Sequence, residues 1–161
     1  MKLFIRGSNK KTRDLVDSAA RNFAYRLFGD RLVKNITINV NLSRSLLSRT
    51  GHYGEIWVED EDERRYPREF SINLDDTIPL KGMLETLAHE MVHAKQYARG
   101  ELKELWTMAK TRFHSVRYDV GDMDYWDMPW EIEAHGRERG LFMHWIRDEE
   151  LTTEKWTFDF Q

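Results

Sequence analysis

Apolar residues recur along this chain in two rhythms. Over residues 12–29, Leu15, Val16, Ala19, Ala20, Phe23, Ala24, Leu27 and Phe28 fall at i, i+1, i+4, i+5 intervals. That spacing predicts one amphipathic helix, closed by Gly29. The period then drops to two. Ile36, Ile38, Val40 and Leu42 alternate with polar residues, as do Ile56 and Val58, and then Phe70, Ile72 and Leu74. Each run predicts a strand with one buried face. The charged stretch EDEDERRYPR between the last two cannot be core and reads as a solvated hairpin loop, with a docking loop as the alternative.

Residues 77–99 return to the helical period. Met83, Leu84, Leu87, Ala88, Met91 and Val92 form the stripe, Asp76 or Thr77 is the expected cap, Pro79 suits the first turn and Gly100 the stop. Within residues 101–128, LWTMAKTRFHSV reads either as a short hairpin or as more helix, and YDVGDMDYWDM as a loop. From Pro129 to about Arg147 Trp130, Ala134, Leu141, Phe142 and Trp145 mark another helix, with Asp127 or Met128 at its cap. In the tail, Trp156, Phe158 and Phe160 alternate, as an edge strand or as a packed end. Helix, three strands, helix, loop, helix predicts an α+β fold with helices on one face of a small, mostly antiparallel three-stranded sheet.

Composition narrows the class. At 161 residues the chain suits a single domain spanning 1–161, with a core of about 12–147 and a tail at 148–161. It is 40% hydrophobic and 33% charged with a net charge of −3, so the surface is charged but balanced, which disfavours a dedicated nucleic-acid binder. The basic clusters SNKKTR and RRYPR read as solvated surface. No run approaches the ~20 apolar residues of a membrane span, and the N-terminus lacks a signal-peptide pattern; the expected location is cytoplasmic. With no cysteine, any metal must be held by His, Asp or Glu.

One stretch offers that chemistry. In LAHEMVHAKQY, His89, Glu90 and His93 spell H-E-x-x-H. On a helix, residues four apart share a face about 5–6 Å apart at Cβ, so two imidazoles can converge on one ion. Zinc accepts neutral imidazole nitrogens and, in a catalytic shell, keeps a place for water, whose proton the adjacent carboxylate takes. The alternative is a helix with two solvated histidines. The apolar frame of the motif opposes it, because burying two histidines requires partners. For the third ligand, PWEIEAHGRERG offers Glu131, Glu133, His135 and Glu138. Glu131 lies at the edge of the apolar side, whereas Glu133 shares its direction with Arg137, Gly140 and His144. A helix presents only one of two residues at i and i+2 to a given point, which favours Glu131. His114 is an alternative from a different segment. Gln96, one turn past His93, faces either the site or solvent. Tyr118, Tyr125 and Trp126 read either as loop aromatics packing on the core or, for a tyrosine or histidine near the metal, as an oxyanion stabiliser.

These residues resemble a small zincin metallopeptidase of the glutamate-zincin type. LAHEMVHAKQY resembles the active-site helix, and PWEIEAHG the E-x-x-A pattern of the following helix. The resemblance implies a minimal zincin-like fold, one zinc ion held by His89, His93 and Glu131, Glu90 as general base, and a protein or peptide substrate. In such families the substrate commonly pairs with an exposed sheet edge, and strands near Trp57 or Asn73 are candidates. An Asp often follows the E-x-x-A alanine to support a ligand histidine; His135 stands there in this chain, so His135, Tyr125 and His114 are the candidates for supporting or oxyanion roles. HEMVHA also resembles SprT-like metalloproteases, which act on DNA-bound proteins, although their downstream ligand histidine has no counterpart here. The rival expectations are therefore a peptidase, a zinc-stabilised binding module without turnover, and a protease of DNA-bound proteins.

Overall fold

The computed structural model describes residues 1–60, 66–105 and 110–158. The chain begins with a strand the hydrophobic pattern did not announce, β1 (Lys2–Arg6), too short for its half-buried Leu3 and Ile5 to set a rhythm. Helix α1 (Lys10–Leu32) follows, its N-terminus capped by Asn9, whose side chain accepts from the Thr12 amide at 3.0 Å. Gly29, at φ 72°, breaks the helical geometry, yet the chain resumes the helix to Leu32. Gly29 is a kink here and not the expected stop, because residues beyond it still pack on the core.

Strand β2 (Thr37–Ser43), the short helix α2 (Leu46–Thr50), β3 (Gly54–Val58) and β4 (Glu69–Asp75) complete a first sheet. Its order is β1-β2-β4-β3, with β1, β2 and β4 parallel and only β3 antiparallel. The expected mostly antiparallel three-stranded sheet is thus corrected to a mixed four-stranded one. Alternation tells which face of a strand is buried but not which strand is its neighbour. The chain places β4 centrally and β3 outside it, where, among the described residues, only one edge is paired. Ile38, Val40, Phe70, Ile72 and Leu74 are buried under the helices, while the opposite face carries Asn41, Asn73 and Glu55 in a ladder of amide hydrogen bonds at 3.0 and 2.9 Å.

The charged connection after β3 is described only at its ends, since 61–65 lie outside the described residues; Asp60 accepts from the Arg68 and Glu69 amides and ties those ends together. Helix α3 (Leu80–Ala98) carries the whole expected stripe in the core. Its N-cap is Pro79, with no side-chain cap; Asp75 holds the Thr77 amide instead. Beyond α3, the ambiguous segment is sheet: β5 (Leu102–Leu105), β6 (Lys110–Phe113) and β7 (Val116–Tyr118) form an antiparallel meander, residues 106–109 lying outside the description. One face of it, with Leu102 and Phe113, packs on Trp130. Helix α4 (Pro129–Asp148) starts on Pro129, N-capped by Met128 with no side-chain bond, and buries Trp130, Ala134, Leu141, Phe142 and Trp145 as the pattern predicts. Trp145 is fully buried, and its indole donates to Ser18 on α1 at 2.9 Å. The described part of the tail makes a 3-10 turn at Lys155–Thr157 and holds no strand; Trp156 packs 6.2 Å from Trp145, and Phe160 lies outside the described residues.

The fold is therefore α+β, with α1, α3 and α4 over one face of the mixed sheet. Helix α3 is central. Its outer side is covered by α4 and the second sheet, so polar residues on that side are buried with no solvent to satisfy them. Among the described residues no helix is long and apolar enough to cross a membrane.

Candidate metal centre

The four-residue spacing on α3 sets the His89 and His93 rings 4.7 Å apart, edge to face, with their Nε2 atoms 3.0 Å apart. In the first turn of α4, Glu131 points its Oε2 to within 3.2 Å of His89 Nε2 and 3.4 Å of His93 Nε2. The other nitrogen of each ring is engaged. His89 Nδ1 donates to Glu138 at 2.9 Å, and His93 Nδ1 donates to the Gln96 side-chain oxygen at 2.8 Å. A carboxylate can only accept, and the Gln96 amide nitrogen is committed to Trp130 O and Glu133, each at 3.0 Å. Both Nε2 atoms therefore face a carboxylate oxygen, and each presents a lone pair there when its ring is neutral. Three such groups held this close repel one another unless a cation lies between them, a metal ion or, in its absence, a proton on an imidazole.

His135 joins the rim of the group. Its ring lies 4.5 Å from that of His89, its Nδ1 is 3.2 Å from Glu138, and its Nε2 is 3.2 Å from the Tyr125 hydroxyl, which donates to Glu131 at 2.7 Å. His89, Glu131 and His135 bring ligand atoms within 4.8 Å of one another and can hold a metal ion. Two groupings thus share His89 and Glu131. The one completed by His93 is tighter, and both nitrogens of His135 already face Glu138 and Tyr125.

The charges follow from this crowding. Burial lowers the affinity of His89 for a proton, but Glu131, Glu138 and Glu90 overcome it and push its pKa up to about 9. Burial alone would raise Glu131; the hydrogen bonds from both histidines and from Tyr125 hold it well below the usual carboxylate range. Glu138 is likewise lowered, burial being outweighed by His89 and His135. Tyr125 is raised, first by burial and then by its bond to Glu131. Glu90 moves the other way. It is buried, has no hydrogen-bond partner among the described residues, and desolvation raises its pKa against the pull of both histidines.

An open cleft of about 390 Å³ leads to Glu90 and His89, walled by His52, Tyr53, Gly54, Glu85 and Thr86 on one side and Tyr125, His135 and Glu138 on the other. Gly54, the first residue of β3, is required by this contact: a Cβ there would sit 2.5 Å from Thr86 Cγ2 and 3.0 Å from Glu90 Oε1.

The structure brings His89, Glu90, His93, Glu131, His135 and Tyr125 together. Glu133 turns away, to Lys95 and Arg137 at 2.8 Å, and Gln96 faces His93 rather than solvent. His114 is outside the group. It occupies the turn between β6 and β7 at φ 51°, exposed and packed on Phe113. Tyr118 packs on Trp130, and Trp126 stacks on His135. Glu138, one of the four residues offered as a third ligand, instead holds His89 Nδ1; Glu131, His135 and Glu138 fall at i, i+4, i+7 and so share a helix face. His52, Tyr53 and Glu85 carried no local signal, since only the packing of β3 beside α3 brings their segments to the cleft. No protein-family model, no curated protein and no solved structure matches the chain.

Proposed function

We propose that the chain is a zinc-dependent peptidase with the zincin-like arrangement its motifs resemble. The observation that carries the reading is the convergence of His89 Nε2, His93 Nε2 and Glu131 Oε2 at 3.0–3.4 Å. Ligands about 2.0–2.1 Å from a tetrahedral zinc stand roughly 3.3 Å from one another. The donor set of two imidazoles and one carboxylate also suits zinc and is one short of the four ligands that zinc usually takes. Bound there, zinc would polarise the scissile carbonyl and acidify a water.

The chain's own groups supply the rest. Glu90 takes a proton from the attacking water as its oxygen bonds to the carbonyl carbon, then delivers that proton to the amide nitrogen as the C–N bond breaks. Its burial and lack of a hydrogen-bond partner suit a carboxylate that must exchange a proton twice in a cycle. Glu138 and Gln96 hold the two imidazoles by their Nδ1 atoms. Tyr125, at the cleft wall, has a single O–H, which Glu131 accepts; turned from Glu131, that hydroxyl would donate to a developing oxyanion. Strand β3 runs from the cleft along the edge of the mixed sheet and offers an extended peptide a row of backbone groups that no strand among the described residues pairs.

The test is Glu90→Gln. The variant is expected to retain zinc at wild-type stoichiometry and to lose hydrolysis of peptides that the wild type cleaves. Unchanged hydrolysis would refute the mechanism. A folded, zinc-loaded wild type that cleaves nothing across a broad peptide library would leave the zinc-stabilised binding module in its place.

A further inference from the structure

The second sheet has a face that the centre just described does not use. Lys103, Arg112 and Arg117 stand directly opposite one another across β5, β6 and β7. Residues paired in register share a face, so three cations line up side by side, on the side opposite Leu102 and Phe113. Like charges directly opposite one another destabilise a sheet. Arg99, from the end of α3, joins them around a cleft of about 370 Å³ also lined by Tyr66 and Tyr97. No carboxylate lines it among the described residues, and none of the four cations makes an ion pair there. Arg99 donates to the carbonyls of Leu27 and Phe28, and Arg112 to those of Gly100 and His114, which orients both guanidiniums without neutralising them.

The position of this cleft says what would enter it. Val58, at the far end of β3, lines the cationic cleft, while Gly54, at the near end, lines the cleft over Glu90. Four residues of strand cover roughly 14 Å. A peptide extended along the β3 edge with one bond over Glu90 therefore reaches the cations four to five residues further on. We propose that this cleft is a subsite for an acidic side chain of the peptide substrate at that distance from the bond addressed by Glu90. The inference rests on the peptidase reading for its register, and on the unbalanced cations for its charge. A nucleic-acid backbone is the lesser fit, because the cations are gathered in one cleft at the end of a strand edge, on a chain of net charge −3.

The test uses the full chain carrying Glu90→Gln, so that binding is read without turnover. A labelled dodecapeptide bearing a Glu-Asp pair four residues from its centre is compared, by fluorescence anisotropy at low and physiological salt, with its Gln-Asn counterpart. The acidic peptide is expected to bind roughly tenfold tighter, the effect of one charge-assisted hydrogen bond, and to weaken with salt. Adding Lys103→Gln and Arg117→Gln together should abolish the preference and flatten the salt dependence, and each alone should reduce both. Both side chains are exposed and their removal relieves like-charge contact, so the melting temperature should hold or rise. Equal binding of the two peptides, indifference to the substitutions, or displacement of the acidic peptide by a tighter-binding oligonucleotide overturns the proposal. Wild-type hydrolysis separates it from the reading beneath it. Cleavage of acidic and neutral peptides alike sinks the subsite alone, whereas acid-selective binding without any cleavage sinks the peptidase reading alone.

Discussion

Gln96 is fully buried, and its amide serves three partners at once: His93 Nδ1 at 2.8 Å, and Trp130 O and Glu133 at 3.0 Å. Gln96→Leu keeps most of the volume and removes all three. Glu133 retains Lys95 and Arg137, and the Trp130 carbonyl, inside α4, keeps its helical donor, but the His93 Nδ1–H is left buried without a partner. At about 1–3 kcal/mol for that one group, the metal-free protein should lose about 1–3 kcal/mol, read by urea denaturation. Zinc affinity should fall as well, because nothing then keeps the His93 proton on Nδ1 and the lone pair on Nε2. The expected loss is roughly 10–100-fold, measured by competition with a chelator in metal buffer. Gln96→Glu restores an acceptor for His93 while facing Glu133 with a second anion, so it should recover zinc affinity more than stability. If Gln96→Leu lowers stability but leaves zinc affinity within twofold of wild type, Gln96 merely joins α3 to α4 and does not position His93.

Zinc stoichiometry should separate three variants: Glu131→Gln loses the metal, His114→Ala keeps it, and Glu133→Gln keeps it while weakening the Lys95 and Gln96 anchors. Loss from His114→Ala, or retention by Glu131→Gln, would contradict the ligand set. Gly54→Ala should lower peptide turnover with zinc content intact, since its methyl would press on Thr86 and the Glu90 carboxylate; unchanged kcat would show that this wall yields. Asp75 provides a pH readout away from the metal. Burial raises its pKa, but the Thr77 hydroxyl and the amides of Leu47 and Thr77 outweigh that and hold it below the ordinary value. The stability it contributes is present above pH ~4 and is lost as pH falls through the lower folded value. Asp75→Ala should cost about 1–2 kcal/mol at neutral pH as a lost cap of α2, and the difference from wild type should shrink in acid denaturation series; a constant difference down to low pH would refute it.

The sequence by itself determined the helices that carry the chemistry, the buried face of each of the three strands it announced, and the helical phase that separates Glu131 from Glu133. These are local properties. A period of 3.6 or two states which side chains share a face, and that is enough to put His89 beside His93 and to turn Glu133 away. It could not state strand order, because alternation is the same whether β3 lies between β2 and β4 or outside them. Only the tertiary structure decided that β3 is the edge and that Gly54 presses against Glu90. It also decided that Glu138 and Gln96 hold the two imidazoles, and that Lys103, Arg112 and Arg117 stand in one row. Each of those facts joins residues distant in sequence through packing and register, and no periodicity within a single segment carries that information.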